Sequence, residues 1–89
     1  HAEALLSAYP EFGCTGKEIP VQNNWGVFEN VMNPSSPELW VFLEKAIAEL
    51  ASVFHGPFIH IGGDECPHKQ WEDHQGCRKI MEEYGIALI

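Results

Sequence analysis

The sequence predicts an α/β fold from three successive segments. An amphipathic helix begins near Ser35, a short apolar strand covers residues 58–61, and a second amphipathic helix covers residues 70–84. A strand that is apolar on both faces is typical of a parallel sheet covered by helices. The order helix, strand, helix is the repeating pattern of α/β folds, in which active sites lie beyond the carboxyl ends of the strands.

Two other segments precede this pattern. Residues 2–8 are rich in good helix formers and predict about two helical turns. Pro10 ends any such helix, because it forces the residue before it towards extended geometry. From Pro10 to Ser35, glycine, proline and asparagine interrupt any periodicity, which predicts a long loop. We expect the rings of Trp25 and Phe28 to be buried and to hold this loop in place.

The first amphipathic helix has clear start and stop signals. Ser35 and Glu38 form a capping-box pattern, and Pro37 suits the first helical turn. Apolar residues then recur at helical spacing as far as Phe54, which predicts a core-facing helix of about 18 residues. The dipeptide Gly56-Pro57 ends it.

The second amphipathic helix has one apolar face and a glycine stop signal. Gly85 suits the position just after its last turn, and residues 86–89 are apolar enough to begin another strand. The residues that share the apolar face are Trp71, Cys77, Ile80, Met81 and Tyr84.

Composition excludes several classes of protein. The 89 residues contain 5 Lys and Arg against 13 Asp and Glu, a formal net charge of −8 with no basic cluster, which argues against a nucleic-acid partner. No apolar run approaches the roughly 20 residues of a membrane span. Three cysteines are too few for a disulfide scaffold, and a bridge from Cys14 to Cys66 or Cys77 is conceivable but not predicted.

One stretch carries the candidate chemistry. In Ile59-His60-Ile61-Gly62-Gly63-Asp64-Glu65, the apolar strand ends in two glycines, and two carboxylates follow. Glycines allow a ligand or another backbone to come close, so this turn is a suitable place for a hydrolytic site. An ordinary exposed turn explains the same residues equally well. His60 is expected to point into the sheet packing rather than to act on a ligand.

The segment from His60 to Glu65 resembles the signature of the family-twenty glycoside hydrolases, the β-N-acetylhexosaminidases. Flanking segments follow the same order as in that family: residues 1–4, 9–16, 25–29 and 66–71. The resemblance implies that residues 1–89 form part of a (β/α)₈ TIM-barrel catalytic domain, from about the end of the third strand to the start of the fifth. A closed barrel needs about 250 residues, so we expect the chain to be a piece of this domain.

The resemblance also implies a substrate and a mechanism. The substrate would be a glycan with a terminal β-linked N-acetylhexosamine, either N-acetylglucosamine or N-acetylgalactosamine, whose own 2-acetamido oxygen attacks the anomeric carbon. Glu65 would be the general acid and then the base, and Asp64 would orient the 2-acetamido group. His1 matches a histidine that helps to tune the acid, so it joins Asp64 among the substrate-binding residues. No cofactor and no metal are expected, and a periplasmic or secreted location is favoured over the cytoplasm.

Most of the family's other sugar-binding groups have no counterpart in this chain. We therefore expect the isolated chain to be inactive or nearly so. An incomplete barrel exposes an unpaired strand edge and apolar helix faces, which favours self-association.

Two other functions stay open. Cys66, His68, His74 and Cys77 include both of the side-chain types that zinc prefers, although their spacing is not that of a standard structural zinc site. The other alternative is a non-catalytic α/β piece that assembles with another chain.

Overall fold

The computed structural model describes residues 2–87, and its regular elements are all helical. Helix α1 covers Glu3–Ala8 and is followed by a 3₁₀ helix at Pro10–Phe12; α2 covers Pro37–Val53, α3 covers Lys69–Asp73 and α4 covers Gln75–Tyr84. Within residues 2–87 the β structure consists of one isolated antiparallel bridge, which joins Gly13 to Met32. No helix in this range is long and apolar enough to cross a bilayer.

The hydrophobic core lies where α1, the 3₁₀ helix and the first turns of α2 meet. Leu6, Phe12 and Leu39 are buried there, with exposed fractions of 0%, 8% and 2%. The rings of Tyr9, Phe12 and Phe42 surround this contact, with the centroids of Phe12 and Phe42 5.2 Å apart. The predicted short helix at residues 2–8 is therefore confirmed, and its buried face fixes the start of the long loop.

The predicted long helix is also confirmed, but its N-cap is not the predicted residue. Helix α2 has 17 residues and Pro37 in its first turn. Its N-cap is Ser36, whose Oγ accepts a hydrogen bond from the Leu39 backbone N–H at 3.4 Å. The predicted cap, Ser35, is wrong by one position because its backbone N–H and its hydroxyl both donate to Asn33 Oδ1, at 3.0 and 2.6 Å.

Replacing Ser36 by alanine is expected to lower the free energy of unfolding by about 1 kcal/mol, because an N-terminal N–H of α2 loses its acceptor. Urea unfolding followed by circular dichroism measures the change. Ser52→Ala is the matched control, because the exposed Ser52 hydroxyl donates to the Glu49 carbonyl in the last turns of the same helix, far from its N-terminus. An equal loss in both variants would contradict the capping role.

The predicted strand at residues 58–61 is wrong for the described chain. This stretch has no regular secondary structure, and the side chains of Phe58 and Ile61 are 90% and 83% exposed. A strand needs a neighbouring strand to satisfy its backbone N–H and C=O groups, and residues 2–87 provide none. Residues 86 and 87 are likewise not in a strand, and the last two residues of the predicted strand 86–89 lie outside the described range.

The second predicted helix is divided into α3 and α4. His74 interrupts it with an extended backbone, φ −87° and ψ 123°. Its Nδ1 accepts a hydrogen bond from the Cys77 backbone N–H at 3.3 Å, so His74 acts as the N-cap of α4. The predicted stop at Gly85 is confirmed, since this residue takes a left-handed conformation with φ 63° and ψ 35°.

Backbone hydrogen bonds join the two ends of the long loop. The Cys14 N–H donates to the Val31 carbonyl at 3.3 Å, and the Asn33 N–H donates to the Phe12 carbonyl at 2.8 Å. Trp25 is 100% exposed, so the prediction that it is buried is wrong, because no described element covers that part of the loop.

Candidate active site

The candidate site begins with an unusual turn after α2. Gly62 and Gly63 have φ angles of 72° and 104°, and Glu65 has a φ of 49°. Glycine takes positive φ freely, whereas a residue with a Cβ does so at a cost. Non-glycine residues held in such conformations are concentrated at functional sites. The backbone at Glu65 is therefore a second feature of this turn, besides its two carboxylates, that is typical of a functional site.

His60 supports the turn from within it. The Gly62 backbone N–H donates to His60 Nδ1 at 2.9 Å, and the imidazole is exposed. The prediction that His60 points into sheet packing is wrong for the described chain, because residues 58–61 are not paired with another strand there. Its contact instead stabilises the path of the backbone into the two glycines.

A cavity of about 340 Å³ lies beside this turn, within the size range of small-ligand pockets. Asp64 and Glu65 are both exposed and both contribute to its wall. Other lining residues come from α1 and from the end of the long loop. Its lining residues are Ala2, Glu3, Leu5, Phe28, Asn30, Val31, Met32, Leu43, Ile61, Gly62, Gly63, Asp64, Glu65, Cys66, Pro67 and Trp71.

A third carboxylate on the wall is buried and was not anticipated from the sequence. Glu3 is 6% exposed, and its Oε1 accepts a hydrogen bond of 2.7 Å from Asn30 Nδ2. Gln70 Nε2 donates to Asn30 Oδ1 at 3.0 Å, and Gln70 Oε1 accepts from the Val31 N–H at 3.2 Å. This network ties α1, the loop and α3 together at one side of the cavity. Its sequence signal was the position of Glu3, three residues before Leu6 on the same helix face.

Replacing Glu3 by leucine is expected to destabilise the protein by about 1–3 kcal/mol, because the Asn30 amide then loses its acceptor. Chemical denaturation measures the change. Glu3→Gln is the matched control, since it keeps a carbonyl oxygen for Asn30, and it should cost less than leucine. If the leucine variant is as stable as the wild type, the hydrogen bond contributes nothing net and the burial of the carboxylate offsets it. The second oxygen, Oε2, is buried without a hydrogen-bond partner among the described residues.

Trp71 closes the cavity near α3. Its indole Nε1 donates to the Met32 carbonyl at 2.8 Å. Its ring stacks on His68, with centroids 5.6 Å apart and planes inclined by 14°. These contacts agree with the place of Trp71 on the apolar face predicted for this helix, and the same residue lines the cavity.

The site offers carboxylates rather than a nucleophilic thiol. Cys66 follows Glu65 on the cavity wall, and partial burial raises the pKa of its thiol. A raised pKa reduces the fraction of thiolate, which is the nucleophilic form of cysteine. The chemistry that the wall can supply is therefore proton transfer and hydrogen bonding by the carboxylates.

The four residues considered for zinc do not form a site. His68 stacks on Trp71, and His74 Nδ1 caps α4. Within residues 2–87, no group of three or more His, Cys, Asp or Glu side chains is arranged to hold a metal ion. His1, the remaining predicted site residue, lies outside the described residues.

Comparisons with known proteins agree with one another. Residues 1–88 match the model of the family described as glycosyl hydrolase family 20, catalytic domain. A beta-hexosaminidase of Porphyromonas gingivalis is 37% identical over 86 residues, which cover 97% of this chain and 11% of that protein. A beta-hexosaminidase of Akkermansia muciniphila is 38% identical over 80 residues, which cover 89% of this chain and 16% of that protein. The chain thus spans less than a fifth of these relatives.

Solved structures extend the agreement to the backbone. A crystal structure of a beta-N-acetylhexosaminidase matches 96% of this chain and 18% of its own, with a TM-score of 0.89 and 35% identity. The chitobiase of Flavobacterium johnsoniae matches 99% of this chain and 13% of its own, with a TM-score of 0.90 and 30% identity. These neighbours are family 20 enzymes, which are TIM barrels. The chain therefore belongs to glycosyl hydrolase family 20 and matches part of the catalytic domain of that family.

Proposed function

We propose that the protein containing this chain removes terminal β-linked N-acetylhexosamine from glycans. The observation that carries the proposal is the pair Asp64 and Glu65, side by side on one cavity wall, on a turn that holds Glu65 at a φ of 49°. The names of the relatives, beta-hexosaminidases, support the same substrate class. Because the chain spans only a small share of those relatives, the activity is proposed for the longer protein.

The adjacency of the two carboxylates favours a substrate-assisted, retaining mechanism. Ordinary glycosidases place two carboxyl groups on opposite sides of the scissile bond, roughly 5 Å or more apart. Two neighbouring residues on one wall do not suit that arrangement, so one of them is better used to position the substrate. The substrate's 2-acetamido oxygen then takes the part of the nucleophile and forms a cyclic oxazolinium intermediate at the anomeric carbon.

Each carboxylate has a separate role in this mechanism. Glu65 donates a proton to the glycosidic oxygen as the bond to the anomeric carbon breaks. It later takes a proton from the water that attacks the same carbon and opens the intermediate. Asp64 accepts a hydrogen bond from the acetamido N–H, which orients the group and stabilises the charge that develops on it. His1 assists Glu65 in this proposal.

Residues 1–89 would supply the part of the barrel from about the end of the third strand to the start of the fifth. The polar groups on the cavity wall are few, so the rest of the sugar pocket must come from other parts of the catalytic domain. We accordingly propose that the isolated chain has little or no activity.

The isolated chain is also expected to self-associate. Trp25, Phe58 and Ile61 are 100%, 90% and 83% exposed, and large apolar surfaces of this kind drive association in water. Light scattering over a concentration series would show a mass that rises with concentration. A constant monomer mass at high concentration would contradict this expectation.

The experiment that tests the function compares two nitrophenyl β-glycosides, one with a 2-acetamido group and one with a 2-hydroxyl group. The longest available form of the protein is used for both. Cleavage of the acetamido sugar alone supports the substrate-assisted mechanism. Equal cleavage of both would exclude it, because the hydroxyl sugar has no internal nucleophile. Cleavage of neither by a folded enzyme would overturn the hexosaminidase proposal.

A further inference from the structure

Two cysteines that are far apart in the sequence lie together beside the long loop. Cys77 is 2% exposed on α4, and Cys14 is half-buried just after the 3₁₀ helix. Cys14 Sγ lies 3.8 Å from the Met32 carbonyl oxygen, and Cys77 Sγ lies 3.4 Å from Asn33 Oδ1. Because Met32 and Asn33 are consecutive, both sulfurs lie against the same short segment of the loop. The neighbouring Cys77 thiol also contributes to raising the pKa of Cys14.

We propose that Cys14 and Cys77 form a disulfide when the protein meets a disulfide oxidant such as oxidised glutathione. The third thiol, Cys66, is the less suitable partner. Its effect on the pKa of Cys14 is smaller than that of Cys77. The proposal is independent of the proposed catalytic activity, since it depends only on where these thiols lie.

The reaction is two successive thiol–disulfide exchanges. The thiolate of Cys14, the more exposed of the pair, attacks one sulfur of oxidised glutathione and releases one glutathione thiolate. The thiolate of Cys77 then attacks the Cys14 sulfur of this mixed disulfide and releases the second glutathione. The protein loses two protons and two electrons, and the glutathione disulfide is reduced to two thiols.

The surroundings of Cys14 make this reaction slow at neutral pH. Burial, with the neighbouring thiols of Cys77 and Cys66, raises the pKa of Cys14 to about 12. The attacking species is the thiolate. As long as the pH is below that pKa, each unit by which the pH is raised increases the thiolate fraction about tenfold. Oxidation is therefore expected to be markedly faster at pH 9 than at pH 7.

The bridge would fix the segment that forms one wall of the cavity. Cys14 is paired through its backbone N–H with the Val31 carbonyl, and Trp71 donates to the Met32 carbonyl. Linking Cys14 to α4 would hold this strip of loop between two helical elements. It would also restrict the unfolded chain, which is the main way in which a disulfide that closes a long loop stabilises a protein.

Trypsin separates the three cysteines, which allows a direct test on the protein in its longest available form. Cleavage after Lys17, Lys45, Lys69 and Arg78 places Cys14, Cys66 and Cys77 on three different peptides. The reduced protein is incubated with oxidised glutathione at pH 9, quenched with acid, alkylated under denaturing conditions at acidic pH with a maleimide, digested and analysed by mass spectrometry. The expected product joins the peptide ending at Lys17 to peptide 70–78, while Cys66 carries the alkyl group.

Two variants and one physical measurement complete the test. Cys66→Ser should keep the cross-linked peptide, and Cys14→Ser should abolish it. The oxidised wild type should also unfold at a higher temperature, and added reductant should reverse the increase. A Cys14 peptide that stays fully alkylated, or that is found linked to Cys66 or to glutathione alone, would overturn the proposal. The wild-type peptide map decides the question even if a variant folds poorly.

Discussion

The Glu65→Gln variant is expected to hydrolyse the 2-acetamido nitrophenyl glycoside about 10²–10⁴-fold more slowly than the wild type, measured as kcat in the longest form of the protein. Glutamine has the shape of glutamate but cannot donate a proton to the glycosidic oxygen or accept one from water. The loss should be smaller for a dinitrophenyl leaving group, because a stable leaving anion needs little protonation. Such a dependence on the leaving group would identify Glu65 as an acid rather than a merely structural residue.

Glu72→Gln provides the matched control. Glu72 is an exposed glutamate in α3 and does not line the cavity, so the same chemical change there should leave kcat unaltered. Circular dichroism checks that both variants fold as the wild type does. Equal losses in the two variants, or full activity in Glu65→Gln, would remove Glu65 from the mechanism.

The Leu6→Ala variant is expected to lose about 2–5 kcal/mol of unfolding free energy. Leu6 is 0% exposed and packs with Phe12 and Leu39 at the contact between α1, the 3₁₀ helix and α2. Truncation removes buried methyl groups and leaves a cavity that the aromatic rings around it can fill only in part. Urea unfolding of the 89-residue chain, with wild type and variant at the same low protein concentration and followed by circular dichroism, measures the loss.

Leu50→Ala is the control for this substitution, because Leu50 lies on α2 with 45% of its surface exposed. The same truncation there removes less buried surface and should cost well under half as much. A Leu50 effect as large as the Leu6 effect would show that the core extends along α2 rather than lying at its first turns.

Local signals were sufficient to predict where most helical residues lie, although not every helix end. The periodicity that ends near Phe54 and the proline at position 37 predicted α2 almost to its ends, since both depend on nearby residues. The cap was misplaced because Asn33, outside the capping-box pattern, engages Ser35. The break at His74 was missed because histidine is an uncommon cap, and its Nδ1 contact with Cys77 is visible only in three dimensions.

Predictions that depended on distant partners were less successful. The run 58–61 has the composition of a strand, yet strand formation requires a second strand, and the described residues provide none. Trp25 is a residue type that often holds a loop in place by being buried, yet it is fully exposed because no described surface covers it. In both cases residue type was informative about the preferred environment, while the environment itself depends on residues elsewhere.

The same distinction applies to the candidate site. Asp64 and Glu65 were selected from a contiguous motif, and the structure places both on the wall of one cavity. The network of Glu3, Asn30 and Gln70 was missed because its members are 27 and 40 positions apart in the sequence. A single sequence gives no measure of which distant polar side chains meet. The position of Glu3, three residues before Leu6 on the same helix face, was the only hint.

The backbone of the glycine turn has a consequence for chirality. A Cβ built on Gly62 with the natural hand meets no atom within 4 Å, so space is available for a side chain. The obstacle to L-alanine there is the φ of 72°, which costs an L-residue about 1–2 kcal/mol. D-alanine, the mirror image, prefers positive φ and would also restrict the unfolded chain. At Gly62 the backbone conformation therefore favours a residue of the opposite hand over any L-residue.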